Sequence, residues 1–194
     1  MTTIYLARHG ESDWNAANRF QGLSDRPLTA RGRRQAEALA AELATVPALS
    51  VIYSSPLRRA LETAAVVGDR IGLDTVAVED LREVDVGAWT GLTRFEAQAR
   101  FPDAFRRWLD GDEGWEDGES YADMASRVLA AIHQIAEAHP EDELLVVSHG
   151  GPLRVIQAAA VGMGVHDYRK LHRVEPNARL SRVAVENGRI ARLD

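Results

Sequence analysis

Cysteine is absent from all 194 residues. No disulfide framework, thiolate metal site or thiol nucleophile can be built without it, and a reducing compartment is permitted. An excess of basic residues is missing too: Lys and Arg number 23 against 29 Asp and Glu, a formal net charge of −6. A nucleic-acid binder would present a basic face, which argues against that class. No stretch approaches the ~20 apolar residues that span a bilayer. Met1-Thr2-Thr3-Ile4-Tyr5-Leu6 also lacks the basic flank and long apolar core of a signal peptide. The expectation is a cytoplasmic protein with neither a membrane nor a nucleic acid as partner. Repeats, low-complexity tracts and Pro/Gly-rich linkers are likewise absent. Together with a length that suits one core, this predicts a single domain over residues 1–194.

What is present begins with a short apolar run at residues 4–7, read as a buried strand, that ends directly on Arg8-His9-Gly10-Glu11-Ser12. An imidazole beside a guanidinium on a strand-to-loop turn suits nucleophilic attack on a group whose negative charge the arginine neutralises. Phosphate fits best, because a planar fork of N–H donors matches phosphoryl oxygens. The loop that follows, to Pro27, is long for a compact domain and so has the character of a functional loop. Thr29 is the expected N-cap of a helix with Ala36, Leu39, Ala40 and Leu43 on one face. A second strand at 51–53 precedes Ser54-Ser55-Pro56-Leu57-Arg58. With Ser55 as N-cap and Pro56 at the first helical position, Arg58 falls in the first turn, where backbone N–H groups favour an anion.

Further along, residues 75–78 read as a third strand, 81–91 as an ordered loop pinned by glycines and a tryptophan, and 94–109 as short helical pieces. Six acidic residues crowd 110–119, and their glycine spacing is not that of a calcium loop, so a solvated loop is expected there. A helix is predicted from Ser120 to near Pro140. Leu144-Leu145-Val146-Val147 has the continuous apolarity of a central strand, and it ends on Ser148-His149-Gly150-Gly151 before another helix. Asn187-Gly188 between two alternating runs predicts a closing hairpin.

Strands alternating with helices imply an α/β architecture with a largely parallel sheet, whose ligands bind beyond the carboxyl ends of the strands. Three strands end on similar chemistry: Arg8-His9-Gly10, Arg58 and His149-Gly150. Were those strands neighbours, two histidines and two arginines would share one electropositive pocket in an acidic protein.

Arg8-His9-Gly10-Glu11-Ser12 with Trp14-Asn15, then Ser54-Ser55-Pro56-Leu57-Arg58-Arg59-Ala60, then Glu83 with Gly87-Ala88-Trp89-Thr90-Gly91, then Ser148-His149-Gly150-Gly151 occur in one order over residues 5–151. In these motifs the sequence resembles the histidine phosphatase superfamily, the phosphoglycerate mutase-like proteins. The resemblance implies a three-layer α/β/α sandwich with a mostly parallel central sheet. It implies His9 as a nucleophile that becomes phosphorylated, Arg8, Arg58 and His149 as phosphoryl ligands, and Glu83 as proton donor. Asn15 and the Gly150 N–H resemble the family's extra phosphate donors, and Gln21-Gly22 lies in its substrate-contacting loop. Two guanidiniums and an imidazolium would then take the place of metal ions, so no metal or other cofactor is expected. His9 must attack as neutral imidazole with its other nitrogen held by a backbone carbonyl. Asp80, Glu79 and Asp85 lie close to Glu83, and only the Gly-x-Trp-x-Gly stretch after it singles Glu83 out.

The short chain, with little room between Glu83 and His149 for the longer insertion of glycolytic mutases, and the Gly87-Ala88-Trp89-Thr90-Gly91 stretch look more like small phosphatases. A phosphomonoesterase acting on a small phosphorylated metabolite is therefore expected, with a phosphoglycerate mutase or a non-catalytic phosphate-binding protein as alternatives. Residues 94–120 would cover the pocket. Trp108, Trp115, Phe95 and Phe105 are expected to pack that cover onto the core. The acidic run beside a cationic pocket would disfavour highly charged substrates. His133, His139, His166 and His172 join no motif and are assigned structural roles. Relatives are often oligomers, so a homodimer is possible.

Overall fold

The structure is a computed structural model and describes residues 1–193. Its strands are β1 (Thr2–Arg8), β2 (Leu49–Ser54), β3 (Thr75–Ala77), β4 (Glu143–Ser148), β5 (Leu180–Glu186) and β6 (Arg189–Arg192). Its α-helices are α1 (Asp13–Ala16), α2 (Ala30–Leu43), α3 (Arg58–Ile71), α4 (Arg94–Arg100), α5 (Pro102–Leu109), α6 (Tyr121–Ala138), α7 (Gly150–Ala160) and α8 (Val165–Leu171). The strands form one sheet in the order β3-β2-β4-β1-β5-β6, parallel from β3 to β1 and antiparallel for β5 and β6.

Successive side chains of a strand point to opposite faces, and here both faces are buried. Ile4 and Leu6 of β1 and Leu144 and Val146 of β4 enter one apolar cluster with Met124, Val128 and Ile132 of α6 and Leu153 and Ile156 of α7. Tyr5, Ala7, Leu145 and Val147 enter the other, with Leu39 and Leu43 of α2 and Ala60, Ala64 and Val67 of α3. The result is the expected three-layer α/β/α sandwich, and it explains why β4 reads as continuous rather than alternating apolarity. Thr29 caps α2, its hydroxyl accepting the Gly32 N–H at 3.0 Å. The last hairpin turns on Asn187 (φ 49°) and Gly188 (φ 72°), both left-handed as its tight two-residue turn requires.

Two helices were not foreseen. The single turn α1 sits inside the long loop after β1, closed by a Ser12 capping box, and the seven-residue α8 follows α7. Both are too short for a 3.6-residue period to stand out. α4, α5 and the loop to residue 120 are held by Trp89, which is 1% exposed. Its ring meets Phe20, Phe101, Phe105, Trp108 and Trp115 at centroid distances of 5.0–6.4 Å. Phe105 and Trp115 are thus buried packing residues, whereas Phe95 is 80% exposed and belongs to neither core nor pocket. Among the described residues no helix is long and apolar enough to cross a membrane.

Candidate active site

Because β2, β4 and β1 are adjacent and parallel, their carboxyl ends meet. The His9 N–H donates to the Ser148 carbonyl and the Ser55 N–H to the Val147 carbonyl, each at 3.0 Å. A cavity of about 830 Å³ opens above this edge, and Arg8, His9, Asn15, Gln21, Gly22, Arg59, Glu83 and Gly150 all line it.

His9 is 2% exposed. Its Nδ1 lies 2.6 Å from the Gly10 carbonyl, an acceptor only, so Nδ1 carries the proton and Nε2 keeps its lone pair. Burial, and then the Arg59 and Arg8 charges, push the His9 pKa well below the ordinary histidine value. The required neutral imidazole is therefore present at neutral pH. His149, fully buried, lies behind it at a ring-centroid distance of 5.1 Å. Its Nδ1 accepts from Arg59 Nε at 3.2 Å, and its Nε2 lies 2.7 Å from Ser55 Oγ. The expected imidazolium is not found. Burial, with Arg59 as the nearest charge, holds His149 far below the ordinary value too, so it serves as a neutral acceptor that orients Arg59.

Two histidines buried in neutral form link folding to pH. Their folded-state values lie below 6.5, the unfolded value, so their contribution is complete above pH 6.5 and is lost as pH falls below it, when only the unfolded chain takes up protons. Each is expected to add about 1.4 kcal/mol per pH unit to the slope of unfolding free energy in that acidic window. Urea titrations between pH 7.5 and 5 check this: His149→Gln should remove one histidine's share of the slope, and an unchanged slope would refute the linkage.

The second arginine of the site is Arg59 and not Arg58. Ser55 does not cap the helix, since its hydroxyl is engaged by His149 and by the Leu57 N–H at 3.2 Å, and α3 starts at Arg58 itself. The buried stripe of α3 then runs through Arg59, Ala60, Thr63, Ala64 and Val67. Arg58 stands one residue, about 100°, off that stripe. It lies at the surface and pairs with Glu62 at 2.7 Å one turn on. Arg59 is 1% exposed and pinned by three bonds: Nε to His149, Nη1 to the Ser24 carbonyl at 2.7 Å and Nη2 to the Gly22 carbonyl at 3.0 Å. Two of its five N–H donors stay available for an anion. Burial pulls its pKa to about 10, still charged at neutral pH. Arg8 donates through Nη1 to the Glu175 carbonyl at 2.7 Å, and its buried Nε has no partner among the described residues.

Glu83 enters from the loop after β3. Its Oε1 accepts the Val84 N–H at 3.0 Å and the Gly151 N–H, in the first turn of α7, at 3.1 Å. A Cβ at position 151 would press on this carboxylate and on the Met124 sulfur, so a larger residue there would have to displace Glu83. The loop is anchored by Arg127 of α6, which bonds the carbonyls of Asp80, Arg82 and Glu83 while its fork grips Glu119 at 2.5 and 2.7 Å. Neither residue was foreseen, because their partners lie more than forty positions away or inside an undistinguished acidic run.

Asn15 uses its carbonyl oxygen for the Ser12 N–H and Asn177 Nδ2, at 3.1 and 3.2 Å, which leaves its own amide hydrogens for the cavity. Gln21 accepts from Ser12 Oγ at 2.7 Å, and the Gly22 carbonyl is spent on Arg59. Gly150 opens α7, so its N–H has no intrahelical acceptor. Asn177, missed in the sequence, donates to the His9 carbonyl at 2.8 Å.

Four residues of the acidic run are taken up by other partners. Asp112 pairs with His166, Glu116 with Arg107, Glu119 with Arg127, and Asp117 accepts the Ala88 N–H. Among the described lining residues Glu83 is the one carboxylate, and of the run Glu113 still acts on the cavity, its charge helping to raise the pKa of Tyr121. His139 bonds Tyr53 and Asp142 as a structural residue, and His172 stacks on Tyr168 at 4.1 Å while lining the cavity mouth.

A neutral, tautomerically fixed imidazole between two arginines at the carboxyl edge of an α/β sheet defines a protein that handles phosphoryl groups. The model of the histidine phosphatase superfamily, branch 1, matches residues 4–193. Curated relatives include phosphoserine phosphatase 1 of Hydrogenobacter thermophilus, 35% identical over 170 residues that make up 87% of this chain and 80% of the relative. Glucosyl-3-phosphoglycerate phosphatase of Mycolicibacterium vanbaalenii is 37% identical over 174 residues, 85% of this chain and 76% of its own. Among solved structures, Bacillus stearothermophilus YhfR superimposes with a TM-score of 0.92 at 32% identity, over 100% of this chain and 96% of that one. The chain belongs to the histidine phosphatase superfamily.

Proposed function

We propose that the chain is a phosphoric monoester hydrolase acting on a small phosphorylated metabolite through a phosphohistidine on His9. The phosphatase names of its relatives support the hydrolase class. The observation that carries the mechanism is His9 itself, with Nδ1–H held by the Gly10 carbonyl and its charge suppressed between Arg8 and Arg59.

Nε2 of His9 attacks phosphorus while the ester oxygen leaves on the opposite side. Arg8, Arg59, the Asn15 amide and the Gly150 N–H receive the equatorial oxygens, where the transition-state charge resides. These cations and dipoles supply the neutralisation that metal ions provide in other phosphoryl-transfer sites. Glu83, as the acid, gives its proton to the departing alkoxide. As carboxylate it then takes a proton from water, whose oxygen attacks the phosphohistidine, so that inorganic phosphate forms and Nε2 recovers its lone pair. Arg58 has no part in this scheme.

Incubation with a phosphoester labelled in its phosphoryl group, in chelator and with rapid quenching, tests the reading. The expected result is stoichiometric label on the protein, stable in base, labile in acid and lost with His9→Ala, together with steady phosphate release. Phosphate release without a labelled protein would overturn the phosphohistidine, and interconversion of phosphoglycerates in place of release would make the protein a mutase.

A further inference from the structure

Arg19, Arg94, Arg154, Arg169, Lys170 and Arg173 line the cavity with no task in that scheme, and of these Arg154 has a buried, unpartnered guanidinium nitrogen. Arg154 lies on α7, three residues beyond Gly151, so nearly one helical turn separates it from the end that receives the phosphoryl group. Its Nε is buried and has no hydrogen-bond partner among the described residues. Arg169, on the same wall, is already engaged: Nη2 donates to the Trp108 carbonyl, and Nη1 lies 2.8–2.9 Å from the Gly111 and Asp112 carbonyls and the Tyr121 hydroxyl. No carbonyl or carboxylate in the described structure does the same for Arg154.

Leaving a guanidinium in this state is unfavourable. Burial, and then the like charge of Arg169, already lower the Arg154 pKa, with Arg8 adding further repulsion. Glu83 is the one nearby carboxylate, and it is bonded to the Val84 and Gly151 N–H groups. Arg154 is half-buried with its Nε cut off from solvent, and a partly desolvated cation without a partner is relieved by a bound anion. Tyr121 lines the same cavity and has its hydroxyl oxygen accepting from Arg169. Its proton is retained, the pKa being pushed up to about 12 by burial, and so is available to a second acceptor.

We propose that Arg154, flanked by the Tyr121 hydroxyl, binds a second anionic group on the leaving-group side of the substrate, about one helical turn from the transferred phosphoryl group. The inference rests on the phosphomonoesterase reading of this cavity and deepens it. The preferred esters carry a carboxylate or a further phosphoryl group, and Arg154 sets that preference. A planar fork serves either, since both offer paired oxygens.

Matched ester pairs that differ in one anionic group decide the matter: phosphoserine against phosphoethanolamine for a carboxylate, fructose 1,6-bisphosphate against fructose 6-phosphate for a second phosphate. Wild type, Arg154→Met and Arg154→Lys are compared, each checked by thermal unfolding. Wild type should favour the doubly anionic member of one pair by about tenfold to a hundredfold in kcat/KM, and the favoured pair identifies the group. Arg154→Met should erase that preference through KM while changing the other member by less than about threefold, and Arg154→Lys should restore part of it. Equal losses on both members would overturn the proposal, because Arg154 would then be serving the transferred phosphoryl group; so would an unaltered preference. If wild type hydrolyses no ester, the phosphatase reading fails on its own. Calorimetric binding of the same pairs then decides the Arg154 claim: selective weakening in Arg154→Met sustains it and uniform or absent weakening ends it.

Discussion

Replacing Arg59 with alanine is expected to lower kcat/KM by about two to three orders of magnitude, the usual cost of losing one charge-stabilising donor, while Arg58→Ala stays within about twofold of wild type. The two residues are neighbours in sequence and opposites in structure. Arg58 is at the surface and its ion pair with Glu62 is of the kind that contributes little. Arg59 is buried, and its truncation removes two donors from the anion as well as the bonds that fix Gly22, Ser24 and His149. The buried carbonyls left unpaired would cost about 1–3 kcal/mol each in stability, so loss of fold must be separated from loss of chemistry. Arg59→Lys does so, keeping the charge but not the fork. A folded Arg59→Lys protein should retain intermediate activity. A damaging Arg58→Ala beside a silent Arg59→Ala would refute the site as described here.

Much of this site was legible because strand ends leave a local trace. Apolar runs stopping on Arg8-His9 and on Ser148-His149 announce side chains at a sheet edge, and adjacency of β1 and β4 follows once the sheet is parallel. A backbone carbonyl holding the second His9 nitrogen was expected once the resemblance made His9 the nucleophile, and the Gly10 carbonyl stands there. What failed was decided by phase and by distance. Choosing between Arg58 and Arg59 requires the rotation of α3 to within one residue, and the Ser55-Pro56 capping signal misled because Ser55 is used by a histidine ninety-four positions away. Asn177 contacts His9 across one hundred and sixty-eight positions, from a segment with no motif of its own. Protonation was invisible as well. An imidazolium at His149 is reasonable beside an anion, but burial against Arg59 reverses it.

His9→Ala should be the most severe substitution, lowering turnover by about five orders of magnitude, as removal of a nucleophile does elsewhere. No neighbour can replace it. His149 is buried behind it with both ring nitrogens engaged, and Glu83 is tied to α7 by the Gly151 N–H. Binding should respond quite differently. The donors that receive the phosphoryl oxygens sit on β1, α1, α3 and α7, and none is held by the His9 ring, whose one hydrogen bond goes to the adjacent Gly10 carbonyl. The variant should therefore bind a phosphoester within about threefold of the wild-type affinity, since the lost group stabilises the transition state and not the ground state. Losing one buried neutral histidine should also flatten the acid branch of its stability profile by the share assigned to His9. Turnover assays, calorimetry and urea titrations at two pH values check the three effects on one protein. Turnover within a hundredfold of wild type would place the nucleophile elsewhere. Loss of binding in parallel with turnover would show that His9 holds the ground state and would remove the basis for reading its neutral imidazole as the attacking group.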